Sequence, residues 1–256
     1  MKRFLLFLYV LSAIFSFSQN SIVIKYDFVQ NTDNTSKIYG QFLVSNKTES
    51  YYIMPFHKVF KNYDELLNDQ DYADSGRYMN SLKKTDNYIL GVAYIPNNPI
   101  IKIYKDFTPE IKWKILSETK LIFNFNCQSA VGNFRGRDYK VWFTTEIPIS
   151  DGPWKLSGLP GLILEATDSN GYFSFTASGI SSNSSYVIPR KLINFYSEND
   201  KKIIKYSEFI FEENNALSVF RQKMMANLPK GVQLTNIPPI RKLEIEANFE
   251  WENEKQ

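Results

Sequence analysis

The sequence predicts a mainly β fold, with a curved antiparallel sheet or half-open barrel and one or two helices. Three observations predict it. The run from Ser21 to Phe28 alternates apolar and polar side chains with the period of a strand. Two apolar runs, Leu162 to Thr167 and Tyr172 to Ser178, flank an Asp-Ser-Asn-Gly turn. The composition, 43% hydrophobic and 16% aromatic over 256 residues, is typical of a globular chain with a large core.

The N-terminus has the pattern of a secretory signal. Two basic residues follow Met1, an apolar run extends from Phe4 to Phe15, and the small residues Ser16 and Ser18 mark a cleavage site. The apolar run is shorter than the ~20 residues that a membrane-spanning helix needs. We therefore expect residues 1–18 to be removed, leaving a single β-rich domain over 19–256 in the periplasm or secreted, with no stable membrane insertion.

Charge and cysteine content argue against a nucleic-acid-binding protein and against a fold held by internal disulfides. Removing the signal leaves 28 of the 30 basic residues against 27 acidic ones, and no basic block interleaved with aromatics remains. Nucleic acid is therefore not an expected partner. The one cysteine, Cys127, has no internal disulfide partner, so the core alone must hold the fold. Its apolar strand environment predicts a buried, inert thiol.

The first strands should form a meander. Ser21 to Phe28 and Lys37 to Ser45, with a polar stretch between them, predict an opening hairpin. Further β-rich runs follow at short spacing, separated by turn signals. They are Tyr88 to Ile95, Ile100 to Tyr104, Ile111 to Leu116, Leu121 to Phe125 and Tyr139 to Thr144. In the later hairpin, Asn170-Gly171 predicts a type I′ turn.

Two segments interrupt the strands. Residues 57–84 are polar and predict a surface excursion with a short helix. Apolar residues at helical spacing, including Met224 and Met225, predict a helix near 216–227 whose methionines enter the core. The alternating run from Ile240 to Phe249 predicts a last strand.

A rigid passage precedes the second hairpin. Pro148 and Gly152-Pro153 are incompatible with a helix between Thr144 and Pro160. The passage ends in a predicted type II turn in which proline presets φ and Gly161 takes the positive φ. The four turn residues are Leu159, Pro160, Gly161 and Leu162.

The block from Asn126 to Ile163 resembles the GLPGLI family of exported Bacteroidota proteins. The resemblance extends over roughly Tyr104 to Ile180 and implies no established activity, cofactor or catalytic residue. The motifs that carry it are Asn126-Cys127-Gln128-Ser129-Ala130, Phe134-Arg135-Gly136-Arg137-Asp138-Tyr139, Trp142-Phe143-Thr144, Glu146-Ile147-Pro148, Asp151-Gly152-Pro153-Trp154 and Gly158-Leu159-Pro160-Gly161-Leu162-Ile163.

Residues with catalytic potential are few. His57 is the only histidine and lies among apolar neighbours, so a histidine-rich metal site is excluded and no metal or other cofactor is expected. No Gly-x-Ser-x-Gly elbow and no phosphate-binding glycine loop occurs. The catalytic residues, if there are any, remain unassigned.

One polar constellation surrounds the family motifs. The favoured interpretation is structural, with arginine ion pairs that lock the carboxylate-bearing loop onto the sheet. A binding site for a ligand or partner is the second interpretation, and paired acids for general acid/base chemistry are the third. The binding candidates are Arg135, Arg137, Glu146, Asp151 and Trp154; the carboxylates of the catalytic alternative lie between Asp138 and Glu165.

These observations support a binding or carrier protein of the cell envelope, because a curved aromatic-rich sheet can hold an apolar small molecule in its concave face. A carboxylate-dependent hydrolase is one alternative. Another is an accessory protein that adds a strand to an outer-membrane partner. An aromatic-lined pocket would favour the first, two facing acids the second, and an uncovered apolar patch or bare edge strand the third.

Overall fold

A computed structural model provides the fold of the chain. It describes residues 21–31, 36–45, 49–55, 58–69, 80–95, 101–183, 186, 188–228 and 239–255. The expected signal segment and His57 lie outside these residues.

Twelve strands in the described residues form one sheet. They are β1 (Ser21–Gln30), β2 (Lys37–Ser45), β3 (Ser50–Ile53), β4 (Ser81–Lys84), β5 (Ile89–Tyr94), β6 (Ile101–Asp106), β7 (Lys114–Ile122), β8 (Phe125–Phe134), β9 (Arg137–Thr144), β10 (Leu162–Asp168), β11 (Phe173–Asn183) and β12 (Ile203–Lys205). The mainly β fold class is confirmed, and the sheet is open and curved.

Two antiparallel meanders make up this sheet. Its strand order is β12-β6-β5-β4-β3-β2-β1-β11-β10-β9-β8-β7. The meander β1 to β6 joins the meander β7 to β11 where β1 pairs with β11, from Ser21 opposite Asn183 to Gln30 opposite Phe173. Only β12 is parallel to its neighbour, β6. β7 and β12 are therefore the two edges.

The predicted hairpins are confirmed, although the turn of the second one differs from expectation. β1 pairs antiparallel with β2, and β10 with β11. In the second hairpin Gly171 has φ 69° but Asn170 does not have positive φ, so the turn is not type I′. The Gly171 N–H instead donates to the Asp168 carbonyl, and the Asp168 side chain accepts from the Phe173 N–H. A type I turn followed by a left-handed glycine fits this pattern.

Two strand predictions are wrong. The run from Leu121 to Phe125 contains the turn between β7 and β8, with positive φ at Phe123 and Asn124. The run from Ile240 to Phe249 forms a 3-10 turn at Ile240–Leu243 followed by irregular extended chain. The excursion over 57–84 does contain a short helix, but its last four residues form β4, in the interior of the sheet.

Three α-helices occur in the described residues, α1 (Tyr63–Asn68), α2 (Arg190–Glu198) and α3 (Tyr206–Ala226). The side chain of Asn62 caps α1 by accepting from the Glu65 N–H. The predicted helix near 216–227 exists as the second half of α3, which begins ten residues earlier. Short 3-10 helices lie at Asp200–Lys202 and Glu250–Lys255.

Alternation along the strands divides the apolar side chains between the two faces of the sheet. Val23 and Phe42 belong to a core covered by α1 and α2, whereas their neighbours Ile24 and Leu43 belong to the core on the other face. The loop over 145–161 packs into this second core, together with the start of α3 and Phe249. The rigid passage therefore fills the face of the sheet that carries the second core.

Candidate functional site

The turn between β8 and β9 places an arginine inside the protein. Arg135 has φ 44° and Gly136 has φ 83°, the two positive values of a type I′ turn. A Cβ on Gly136 would lie 2.8 Å from the Asn248 side chain, so this turn also needs glycine for space. Positive φ is unfavourable for arginine. This conformation directs the Arg135 side chain into the core, although side chains at a hairpin turn usually face solvent.

Arg135 pairs with three carboxylates, and Lys155 shares two of them. Its guanidinium holds Asp106 with two parallel hydrogen bonds, Nη2 to Oδ1 at 2.7 Å and Nη1 to Oδ2 at 2.8 Å, and donates to Glu246 Oε1 at 2.5 Å. Lys155 Nζ donates to Asp106 Oδ2 at 2.7 Å and to Glu246 Oε1 at 3.0 Å. The Tyr206 hydroxyl donates to Glu246 as well. We call Asp106, Arg135, Lys155 and Glu246 the buried ion cluster.

Aromatic rings enclose the buried ion cluster. The Arg135 guanidinium carbon lies 5.1 Å from the ring centre of Tyr206 and 5.4 Å from that of Phe249, and Lys155 Nζ lies 3.8 Å from the Tyr206 centre. Burial alone would raise the pKa of Asp106, but Lys155 and Arg135 outweigh it, so the pKa lies below its ordinary value. The four buried side chains are two cations and two carboxylates, and the Arg135 Nε also donates to Glu250 Oε1 at 2.9 Å, so three carboxylates surround the two cations.

Arg137 binds the backbone of the C-terminal segment. Its Nε donates to the Glu244 carbonyl at 2.9 Å, and its Nη2 to the Lys242 carbonyl at 2.9 Å. Nη1 reaches Asp168 at 3.3 Å. The Ala247 N–H also donates to the Arg135 carbonyl at 2.9 Å. Together these bonds hold the C-terminal segment against the turn that joins β8 to β9.

Asp151 lies in a second, separate polar group. Its Oδ1 accepts from Lys84 Nζ at 2.6 Å and its Oδ2 accepts from the Ser50 hydroxyl at 2.6 Å. Lys84 also donates to the Gly152 carbonyl at 2.8 Å. Burial lowers the pKa of Lys84, and Asp151 only partly offsets this. The group ties the 145–161 loop to β3 and β4.

Glu146 bonds to the start of β8, whereas Trp154 lies beside the buried ion cluster, with its ring centre 5.5 Å from Lys155 Nζ. Glu146 is exposed and accepts from the backbone and side-chain nitrogens of Asn126, at 2.7 and 3.2 Å. Trp154 is buried, with its ring centre 5.5 Å from that of Phe134 in an edge-to-face contact. The five residues proposed from the sequence therefore do not converge on one opening.

The expected type II turn is not formed at Gly161. Positive φ falls on Gly158, at 95°, and not on Gly161. Gly161 is needed for space, because its Cβ would lie 2.0 Å from the Thr144 carbonyl oxygen. The Leu162 N–H donates to the Ile147 carbonyl at 3.1 Å, which closes the loop at this point. The end of β9 thus packs directly against the backbone of the Gly-Leu-Pro-Gly-Leu-Ile hexapeptide, residues 158–163.

The carboxylates of the catalytic alternative each have a different hydrogen-bond partner. Asp138 accepts from the Asn133 side chain at 2.8 Å, and Glu165 accepts from Lys120. The two acids that do lie close, Asp106 and Glu246, were not singled out from the sequence. They are 140 positions apart in a chain with 27 acids, and no local motif distinguishes them.

Within the described residues, no group of three or more His, Cys, Asp and Glu could hold a metal ion. In the same part of the chain, no helix has the length and apolar character to cross a membrane. Cys127 is a buried free thiol, and burial raises its pKa to about 11.

Several large apolar side chains are exposed in the described residues, and two groups of them are close together in sequence. The second half of α3 exposes Phe220 and Met224, one turn apart, with Val219 and Met225 beside them. The expectation that these methionines are core residues is wrong, because both are more than 40% exposed. The β7–β8 turn exposes Leu121 and Phe123.

Comparisons with known proteins agree with the fold. The model of a family described as a protein of unknown function (Porph_ging) matches residues 136–165. No curated protein matches. Two crystal forms of PNGF-II are similar, at 18% and 17% identity over 76% of this chain, each with a TM-score of 0.52.

The alignments cover 34% and 33% of the PNGF-II chain, so this protein matches about a third of it. At this identity the likeness concerns the fold alone. A LolA superfamily protein from Nitrosomonas europaea is 9% identical over 68% of this chain and 89% of that one, and its TM-score of 0.26 is too low to support a comparison.

Proposed function

We propose that this protein is an exported binding protein of the cell envelope whose partner is another protein, held on the second half of α3. The observation that carries the proposal is the exposure of Val219, Phe220, Met224 and Met225, four large apolar side chains within seven residues. Each is between 43% and 51% exposed. Phe220 and Met224 are four residues apart and so share one face of the helix, and exposed apolar surface of this kind marks interaction sites in soluble proteins.

The chemistry of the helix suits a protein partner. Leu217, Phe220 and Met224 follow the i, i+3, i+7 spacing of a face that packs against another element. Methionine is flexible and polarisable, so it adapts to partner surfaces of irregular shape. Arg221 and Lys223 supply a polar rim around this face, as at protein–protein interfaces.

Packing of the sheet face that carries the second core disfavours an apolar small molecule as the ligand. The ring of Tyr104 contacts those of Tyr206 and Phe209, with centres 4.5 and 4.8 Å apart. Trp154 and Leu156 of the 145–161 loop lie in the same core. These side chains fill the space that would otherwise line a ligand cavity.

The state of the ionisable groups disfavours hydrolysis. Asp106 and Glu246 are buried and each contacts both Arg135 and Lys155. A general acid must hold its proton near the working pH, whereas the pKa of Asp106 is below its ordinary value. The buried ion cluster therefore has the character of a structural lock.

The experiment is site-specific photo-crosslinking in the host. A photoreactive amino acid replaces Phe220, and a matched protein carries it at the exposed helix residue Glu208. We expect position 220 to capture one protein partner and position 208 to capture none. The added substitution Met224→Asp should remove the crosslink without lowering the melting temperature, because the side chain is exposed.

Two results would contradict the proposal. One is an equal crosslinking pattern from both positions. The other is a stoichiometric small molecule on protein purified from the host, seen by native mass spectrometry, with no protein captured at position 220.

A further inference from the structure

The β7–β8 turn bears an apolar tip whose backbone conformation is costly. Phe123 has φ 50° and Asn124 has φ 67°, so the turn is type I′, for which Asn-Gly is the preferred pair. A bulky residue at positive φ is an outlier. Backbone strain of this kind persists only where other contacts hold the conformation, and strained residues cluster at functional sites.

The two type I′ turns of β8 provide an internal comparison. At Arg135 the left-handed residue directs a fully buried side chain to Asp106 and Glu246, so ion pairs within the protein offset the strain. At Phe123 the side chain is 47% exposed and Leu121 beside it is 66% exposed. Within the described residues, the fold gains little from placing a phenylalanine at this position.

The tip also stands clear of its neighbours. The last residue pair between β8 and β9 is Gln128 with Phe143, and Glu146 contacts the backbone of Asn126. Beyond Asn126 the hairpin extends by two to three residues, about 7 to 10 Å at the rise of a strand. Ile122 and Phe125 pack against the core, whereas Leu121 and Phe123 are exposed.

The charge and the exposed area of the tip decide whether a protein or a lipid bilayer is its partner. Residues 121–126 carry no charged side chain, and the adjoining Lys120 is paired with Glu165. Two partly exposed side chains offer on the order of 200 Å² of apolar surface, well below the ~800 Å² that each partner buries in a specific protein interface. Insertion between lipid head groups needs only a narrow apolar projection that reaches about 5 to 10 Å deep.

We propose that the β7–β8 tip, Leu121 and Phe123, is a membrane-surface contact that inserts reversibly into the head-group region of a neutral lipid bilayer. The contact is weak because two side chains bury little area, and it requires no anionic lipid because the tip carries no charge. It shares no residue with the α3 surface.

The test is flotation of the purified full-length exported protein with phosphatidylcholine vesicles at physiological salt. Each of Leu121→Thr and Phe123→Asn should weaken partitioning about tenfold, the factor that corresponds to 1.4 kcal/mol. Phe123→Asn should also keep or raise the melting temperature, because asparagine tolerates positive φ better than phenylalanine. The matched control Phe211→Gln, which removes an exposed phenylalanine from α3, should partition like the parent.

Three results would overturn the proposal. They are a parent protein that does not float with the vesicles, a tip variant that floats as well as the parent, and binding that needs anionic lipid and disappears at high salt. Capture of a protein instead of lipid by a photoreactive group at Leu121 in cells would assign the tip to a protein partner. The Met224→Asp variant leaves the tip intact, so it should bind vesicles as the parent does. Vesicle binding therefore tests the tip separately from the α3 surface.

Discussion

Gly161 offers the sharpest test of how the hexapeptide is built. If Gly161 is required for space, alanine should be strongly destabilising even though φ is not positive there. Its Cβ would lie 2.0 Å from the Thr144 carbonyl oxygen and 2.6 Å from the carbonyl carbon, where ordinary contact begins at 3.4 Å. Backbone atoms cannot rotate away as a side chain can, so the loop and the end of β9 must separate by more than 1 Å.

The cost follows from two terms. Overpacking a tight site costs about 1 to 3 kcal/mol. Separation would also weaken the hydrogen bond from the Leu162 N–H to the Ile147 carbonyl, worth about 1 kcal/mol. We expect Gly161→Ala to lower the free energy of unfolding by about 2 to 4 kcal/mol, which lowers the melting temperature by about 4 to 16 °C in a chain of this size.

Two other glycines serve as controls in denaturant unfolding. Gly158 and Gly171 have φ 95° and 69°, and an added Cβ would meet only ordinary contacts at the first and nothing at the second. Alanine there should cost only the backbone term, about 1 to 2 kcal/mol. Gly161→Asn should be at least as damaging as Gly161→Ala. An asparagine variant that melts near the parent would show instead that Gly161 occupies a positive-φ turn position, and the reasoning would be wrong.

The remaining predictions concern charge, the thiol and export. Lys155→Met should cost about 3 to 5 kcal/mol in urea unfolding because it leaves buried carboxylates underpaired, whereas Lys140→Met, at an exposed pair, should cost less than about 1 kcal/mol. Because the folded pKa of Asp106 is lowered, its stabilisation is complete above the unfolded pKa near 4 and is lost as pH falls through the folded value; Asp106→Asn should therefore lose less stability than the parent on acidification. Cys127, with a pKa of about 11, should react slowly with a thiol reagent at pH 8 in the native protein and rapidly after denaturation. The exported protein should have the intact mass of a chain that begins at Gln19, and retention of the first 18 residues would contradict the signal assignment.

Local pattern predicted much of the sheet because strands have a period of two that the sequence displays directly. The same pattern failed for the C-terminal segment. Leu243, Ile245 and Phe249 alternate as in a strand, but the backbone of this segment is bound by Arg137 and by the Arg135 carbonyl in place of a ladder partner. An extended chain with one face on a core gives the same alternation as a strand, so periodicity cannot distinguish them.

Helical spacing had a similar limit. The spacing of Leu217, Phe220 and Met224 correctly predicted a helix, but not whether anything covers that face. Spacing reports the conformation of the segment, whereas burial depends on what the rest of the chain places beside it. The second half of α3 is a helix with an uncovered apolar face, and this is why the methionine prediction failed.

The sequence by itself determined the fold class, the main hairpins, the buried cysteine and the non-helical passage, because backbone preference and side-chain alternation are local properties. Only the tertiary structure decided which charges meet. The sequence favoured ion pairs between the arginines and the loop carboxylates, yet Arg135 pairs with Asp106 and Glu246, and Asp151 of the loop pairs with Lys84. The pairing energy of charges depends on their distance and burial, which the topology sets between residues 29 to 111 positions apart, and no local pattern records it.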